Sequence, residues 1–374
     1  MKIIFFIDVW YPVYGGAIRS VEYIAQGLAE QGHEITIVTR KLRTKDGIVT
    51  PINPNRGYKV IHLGPISNFE NIFFRLWWLL YATWIGWRLG PFDIIHGIAN
   101  LGGIPAKLLS LLSRRPVVYT VHGSGIRVWE KMNRGVISIL MKGMEIFVQC
   151  KIYYDVEISV DADFFNIAGN INKHKEVIPN GVDTNYYQPG LPGKISNRLL
   201  FVGRLHPQKS LPTLLHALKQ LPSQVVLHIV GSGNEELRLR TLINELDLNS
   251  RVIFKGALYG QELIREYQKA QLFILPSVYE GQPHTILEAW ACGLPIVATK
   301  VGANPDMFVD SRLGTLVPIE DPVSLADAIE SYLQKDLEDY GGFIRQHVID
   351  NYSWQQIIKR HILIYDKLIY EHGS

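Results

Sequence analysis

The chain has 374 residues, 47% hydrophobic and 20% charged. That is enough for two cores at ~100–200 residues per domain and too apolar for global disorder. A formal charge of +3 argues against a nucleic-acid partner, and two cysteines, Cys150 and Cys292, exclude a disulfide scaffold or a Cys-based zinc ribbon.

The paucity of cysteine fits a reducing, cytoplasmic compartment. Charge is uneven: residues 1–180 balance at +6 and residues 181–374 at −3. The first half therefore suits an anionic surface such as the inner face of a plasma membrane.

Lys2 to Asp8 is a continuous apolar run meeting an acid. It is too short for a secretory signal core and reads as a strand covered on both faces. A loop with Pro12, Gly15 and Gly16 follows. Ile18, Val21, Ile24, Ala25 and Leu28 then have helical spacing up to Gly32, a helix stop. Glu34–Thr39 is a second strand, so the opening is a βαβ unit and the sheet is parallel. Tyr58–Leu63, Asp93–Gly97, Pro116–His122 and Tyr154–Val160 read as further strands, with a turn at Gly123–Gly125.

Pro179–Asp183 and Gln188–Gly193 read as an interdomain linker. The βα pattern then restarts. Strands are expected at Arg198–Val202, Val225–Val230, Arg251–Phe254, Leu272–Leu275, Leu294–Ala298 and Thr315–Pro318. Helices are expected through Leu218 and over 234–246. Two doubly wound, Rossmann-like α/β domains follow, 1–180 and 181–353, with an interdomain cleft and ligand at the strand carboxyl ends. Residues 354–370 are helical in pattern and can pack on either domain.

Chemistry concentrates in Glu280–Glu288, which follows an apolar strand. Pro283 suits a first helical turn, so free N–H groups at His284, Thr285 and Ile286 offer an anion site. Glu280 and Glu288 flank it, and each can accept a pair of sugar hydroxyls. Spacing alone equally describes an acidic loop and a solvated helical Glu.

In this order of motifs the chain resembles the family 4 glycosyltransferases, with two Rossmann-like domains in the GT-B arrangement. The resemblance rests on Gly15-Gly16, His122, Pro179–Asp183, Val202–Leu205 with Lys209, Gly231-Ser232-Gly233, and the Glu280/Glu288 pair. It implies a retaining, metal-independent enzyme that needs no cofactor. Its partners would be a nucleotide-sugar donor and a glycan or lipid-linked acceptor in polysaccharide or glycolipid assembly.

The resemblance also assigns roles. Glu288 would hold the ribose hydroxyls and Glu280 the donor sugar. Arg204 and Lys209 would clamp the diphosphate, a planar fork and a point charge on a leaving group gaining charge. Gly203, Gly231 and Gly233 would let backbone approach the donor, and Phe254 and Lys255 would frame the base through their backbone groups. Gly15 and Gly16 would reach the diphosphate, Arg19 the acceptor, and His122 the transferred sugar. Many members follow that His with Asp; this chain has Gly123.

Asp161-Ala162-Asp163 also matches a short metal-binding pattern. With Arg204 and Lys209 available no metal is required, and Asp163 is expected to cap a helix near Phe164. An NAD-dependent oxidoreductase is disfavoured because the first turn lacks the full glycine fingerprint and the second strand ends Thr39-Arg40. A sugar-nucleotide epimerase of the same architecture and a non-catalytic nucleotide-sugar binder remain rivals.

Residues 75–88 hold Trp77, Trp78, Trp84 and Trp87, half of the chain's eight Trp. The run is too short to span a bilayer at ~20 residues. It reads either as a core helix or as an aromatic face in lipid headgroups. Residues 126–151 add a basic amphipathic surface that would join such a membrane contact.

Overall fold

The computed structural model describes residues 1–11, 15–43, 57–68, 72–122, 136–166, 170–190, 195–335 and 340–373. They divide into two units, Met1–Asn180 with Trp354–Ser374, and Gly181–Ser353.

In the first unit, seven parallel strands are found among the described residues. They are β1 (Lys2–Phe6), β2 (Glu34–Arg43), β3 (Lys59–Asn68), β4 (Ile94–Ile98), β5 (Val117–Val121), β6 (Val156–Ser159) and β7 (Lys175–Val177). Their order is β3-β2-β1-β4-β5-β6-β7. The helices are α1 (Gly16–Glu30), α2 (Ile72–Leu89), α3 (Ala99–Ser113) and α4 (Val136–Ile146).

Strand β1 shows why its sequence is apolar throughout. Ile3 and Phe5 pack in one cluster with Ile18, Val21 and Leu28 of α1. Ile4 and Phe6 pack in another with Trp78 and Ala82 of α2 and Leu101 and Ala106 of α3. A strand covered on both faces has no polar side to alternate with. Helix α1 is followed by Gly32 at φ +83°, a conformation that favours glycine. Strands β2 and β3 run beyond their expected ends, to Arg43 and Asn68, with a register shift between Arg40 and Leu42. The expected turn at Gly123–Gly125 lies outside the described residues.

The second unit holds β8 (Arg198–Val202), β9 (Val226–Val230), β10 (Val252–Gly256), β11 (Leu272–Leu275), β12 (Ile296–Thr299) and β13 (Gly314–Val317), all parallel. Their order is β10-β9-β8-β11-β12-β13. Helices α5 (Leu211–Gln220), α6 (Glu236–Glu245), α7 (Gly260–Lys269), α8 (His284–Ala291), α9 (Asn304–Met307), α10 (Pro322–Leu333) and α11 (Tyr340–Tyr352) surround the sheet. Arg345 fastens the start of this unit by donating to the carbonyls of Tyr187, Thr184 and Ala291.

Helix α12 (Trp354–Gly373) belongs to the first unit. Ile357, Ile358, Tyr365 and Leu368 join Ile3, Ile24 and Leu28 in one cluster. A Cβ at Gly27 would lie 2.0 Å from Ile358 Cδ1, so α1 and α12 touch where the side chain is missing. Tyr365 Oη hydrogen-bonds His96 Nδ1 at 2.7 Å, and His96 Nε2 reaches Thr120 Oγ1 at 2.7 Å. Burial, with the charges of His361 and His122, holds His96 well below the usual imidazole range.

Helix α2 is buried on one side, as the core reading expects, and exposed on the other. Trp78 is fully buried, whereas Trp77, Trp84 and Trp87 are exposed. Among the described residues no helix is long and apolar enough to cross a membrane. Of the expected basic segment 126–151, residues 126–135 lie outside the described set.

Candidate functional site

In an open parallel sheet, ligand binds where the chain order reverses, at strand carboxyl ends. In the second unit that point is β8, flanked by β9 and β11. The loops leaving these three strands carry most of the expected site residues.

After β8 come Gly203 and the exposed Arg204, then a short 3₁₀ turn, Pro207–Lys209, with His206 Nδ1 accepting the Gln208 N–H. After β9 come Gly231, Ser232 and Gly233. Three backbone bonds knit these loops. Gly203 N–H donates to Val230 O (3.0 Å), Leu205 N–H to Ser232 O (2.9 Å), and Gly231 N–H to Gly256 O (2.7 Å). A Cβ on Gly231 would sit 1.9 Å from Gly203 O, and one on Gly233 2.1 Å from Leu205 O. Glycine at 231 and 233 is therefore required by loop-on-loop packing.

After β11, the 277–281 segment is held from both sides. Val278 N–H donates to Gln208 O (2.9 Å) and Gln208 Nε2 to Tyr279 O (2.8 Å). On the other flank Thr299 Oγ1 donates to Ser277 O (2.5 Å) and Ala303 N–H to Gly281 O (2.9 Å). Within this clamp Glu280 is buried. Its Oε1 accepts from Lys209 Nζ at 2.5 Å and from Ser277 Oγ at 2.6 Å. Lys209 and Glu280, 71 positions apart, thus meet as a mostly buried ion pair.

Pro283 is the N-cap of α8 and His284 its first residue. Glu288 lies one turn in, buried, and its Oε2 accepts from Tyr267 Oη of α7 at 2.9 Å. Burial first, then the Glu288 charge, pushes the Tyr267 phenol well above its usual range, so it stays a donor. Thr285 Oγ1 is buried with no hydrogen-bond partner among the described residues. Ile286 departs from expectation. Its side chain is fully buried in the core and its N–H donates to Pro283 O. Any donor contact from this turn therefore falls to His284 and Thr285.

Phe254 and Lys255 also have other engagements. Strand alternation sends them to opposite faces. The Arg240 guanidinium lies over Phe254 at 4.3 Å, and Lys255 Nζ is 3.8 Å from Glu266. Glu266 also accepts from Arg198 and lies 3.0 Å from His228 Nδ1. Although burial opposes it, these hydrogen bonds and charges hold the Glu266 carboxyl down to about 2. These side-chain engagements leave the backbone of 254–255, the groups expected to frame a base, untouched.

In the first unit the order reverses at β1, between β2 and β4. Gly15 and Gly16, both exposed, open α1 just beyond it; Gly15 is extended, at φ −171°. Arg19 lies over Tyr23 at 5.9 Å, and Tyr23 stacks on Trp354 at 4.9 Å. His122 follows β5 and is half-buried. At the end of β1 is a buried acid the motifs did not single out. Asp8 accepts from Arg75 Nη2 at 2.7 Å and Nε at 3.1 Å, and its carbonyl from Arg40 Nε at 3.0 Å. Its only sequence signal was an acid closing an apolar strand.

Asp161 Oδ1 accepts the Phe164 N–H at 2.8 Å, as a helix cap does; the side chain of Asp163, the expected cap, lies outside those described. Among the described residues no group of three His, Cys, Asp or Glu side chains is placed to hold a metal ion.

Residues 14–186 match the family model described as Glycosyltransferase Family 4, and residues 188–352 match that described as Glycosyl transferases group 1. The chain is 26% identical to an uncharacterised glycosyltransferase of Methanocaldococcus jannaschii, over 95% of each chain. It is 28% identical to the UDP-Gal:alpha-D-GlcNAc-diphosphoundecaprenol alpha-1,3-galactosyltransferase of Escherichia coli, over 64% of this chain and 65% of that one. Among solved structures, sucrose-phosphate synthase from Thermosynechococcus elongatus superposes with a TM-score of 0.82, over 99% of each chain at 24% identity.

Proposed function

The chain belongs to the family 4 glycosyltransferases and has their GT-B fold, and on that premise we propose that it moves a sugar from a nucleotide-sugar donor to a glycan or lipid-linked acceptor, retaining anomeric configuration without a metal. The observation that carries this is the pair of buried carboxylates beside the β8 switch point. Glu280 is fixed by Lys209 and Ser277, and Glu288 by Tyr267. Preorganised acids of this kind suit diol recognition. The Escherichia coli relative, whose name gives a UDP-sugar donor and a diphosphoundecaprenol-linked acceptor, supports the substrate classes.

In this reading Glu288 accepts the ribose hydroxyls and Glu280 those of the donor sugar. The His284–Thr285 turn offers donors to phosphate. Arg204 and Lys209 stabilise the diphosphate as the C1–O bond breaks and its electron pair stays with the phosphate oxygen. Gly15 and Gly16 add N–H donors, His122 meets the transferred sugar, and Arg19 meets the acceptor. The acceptor oxygen attacks C1 on the same face and its proton passes to the departing phosphate oxygen. No protein carboxylate is needed beneath C1, as a double displacement would require. The enzyme contributes positioning and charge stabilisation. Work on a lipid-linked acceptor would place it on the cytoplasmic face of a membrane, in polysaccharide or glycolipid assembly.

The test is transfer from a panel of UDP-, GDP- and ADP-sugars found by thermal shift. Glu288→Ala and Lys209→Ala should each lower kcat/KM by at least about a hundredfold, and chelator should leave the rate unchanged. Loss of transfer in chelator, restored by a divalent cation, would reject the metal-free mechanism.

A further inference from the structure

Helix α2 is apolar on both sides. Trp78 and Ala82 face the core and are fully buried. On the other side, at helical spacing, Trp77, Leu80, Trp84 and Trp87 are 40%, 72%, 43% and 60% exposed. Trp77 stacks on Tyr81 and Tyr81 on Trp84, while the Arg88 guanidinium lies over Trp84 at 5.0 Å.

Helix α3 ends beside α2. A cavity of about 210 Å³ is lined by Trp87, Pro91 and Phe92 from one side and Leu109 and Ser113 from the other. At that end α3 presents Leu111 and Leu112, 65% and 63% exposed, then the exposed Arg114 and Arg115. Neither helix contains an Asp or Glu. The first acid after α2, Asp93, is turned to the backbone N–H of Lys2 at 2.7 Å.

We propose that the outer face of α2, with the end of α3, docks on an anionic bilayer surface. Trp84 and Trp87 would sit at headgroup depth and Arg88, Arg114 and Arg115 on lipid phosphates. Indole rings favour that depth, where one edge is apolar and the other wet. A basic rim with no acid among the exposed apolar groups complements anionic lipid. A second copy set on the same face would oppose like charges. The helix lies on the surface without crossing, since Arg75 within it is tied to the buried Asp8. This deepens the membrane placement in the proposed function and uses none of the sugar-transfer residues, so it can fail while transfer stands.

The experiment is co-sedimentation of the full chain with phosphatidylcholine vesicles, with and without roughly a third phosphatidylglycerol. Binding is expected with the anionic lipid and should weaken in salt. Brominated acyl chains should quench tryptophan fluorescence. Arg114→Gln with Arg115→Gln should weaken partition about thirtyfold, roughly fivefold per basic side chain. Trp84→Gln with Trp87→Gln should lose most of the quenching. Both variants should keep the wild-type unfolding midpoint and stabilisation by nucleotide sugars. If the Trp variant misfolds, the Arg variant still decides. Equal partition of wild type and the Arg variant, or absence of wild-type binding to anionic vesicles, would overturn the proposal. So would a wild-type dimer that the Trp variant converts to monomer, which would assign the face to a second copy.

Discussion

Glu157 of β6 is fully buried. Its Oε2 accepts from Asn170 Nδ2 at 2.7 Å, and its Oε1 has no hydrogen-bond partner among the described residues. Burial outweighs the Asn170 bond and the Lys175 charge and raises the carboxyl from 4.5 to about 7. Between those values the folded chain holds a proton that the unfolded chain has released. Stability therefore falls as pH rises through that window and is level above it. At about 1.4 kcal/mol per pH unit, the loss is about 3 kcal/mol. Glu157→Gln carries no titration and should remove the slope. Urea unfolding of both proteins from about pH 5 to about pH 8 measures this. Tryptophan fluorescence reports the right unit, because of the eight Trp only Trp290 lies in Gly181–Ser353. The variant's advantage should grow by about 2–3 kcal/mol across the range, most of the full loss. A difference that stays flat with pH would refute the argument.

Two further outcomes test the second unit. Gly231→Ala places a methyl 1.9 Å from Gly203 O at φ +137°, and should cost about 2–4 kcal/mol and abolish stabilisation by nucleotide sugars; an unchanged melting temperature would show that the loops yield freely. Tyr267→Phe removes the donor to Glu288 Oε2. It should raise the donor KM about tenfold with kcat nearly kept, the loss of one hydrogen bond to a buried charge. Unchanged KM would mean that Tyr267 does not position Glu288.

Strands Arg198–Val202 and Leu272–Leu275 match their expected bounds residue for residue, because a parallel strand covered on both faces is an unbroken apolar run. Strand β7 escaped because it is three residues, Lys175-Glu176-Val177, paired among the described residues with β6 alone. Helix α3 is disguised by Gly102, Gly103 and Pro105. A Cβ on Gly102 would lie 2.1 Å from Phe6 O, so its glycine marks a close helix–strand contact and not a turn. At the site, the Glu280/Glu288 spacing was legible. Ser277 and Tyr267 as their partners were not, since Tyr267 reaches Glu288 from another helix 21 positions away. Such pairings are fixed by packing, and Lys209 likewise had no local signal for Glu280.

The placement of α12 bears on how the polypeptide is made. One flank of the first sheet is closed by Ile357, Ile358, Tyr365 and Leu368, residues that leave the ribosome only after the whole of Gly181–Ser353. Until they emerge the N-terminal half keeps an oily side open, while Gly181–Ser353 already has its complete complement of residues. A nascent chain stalled before Trp354 would be a substrate for chaperones. Cutting away residues 354–374 would remove a wall of the first unit, and 1–180 expressed alone should aggregate.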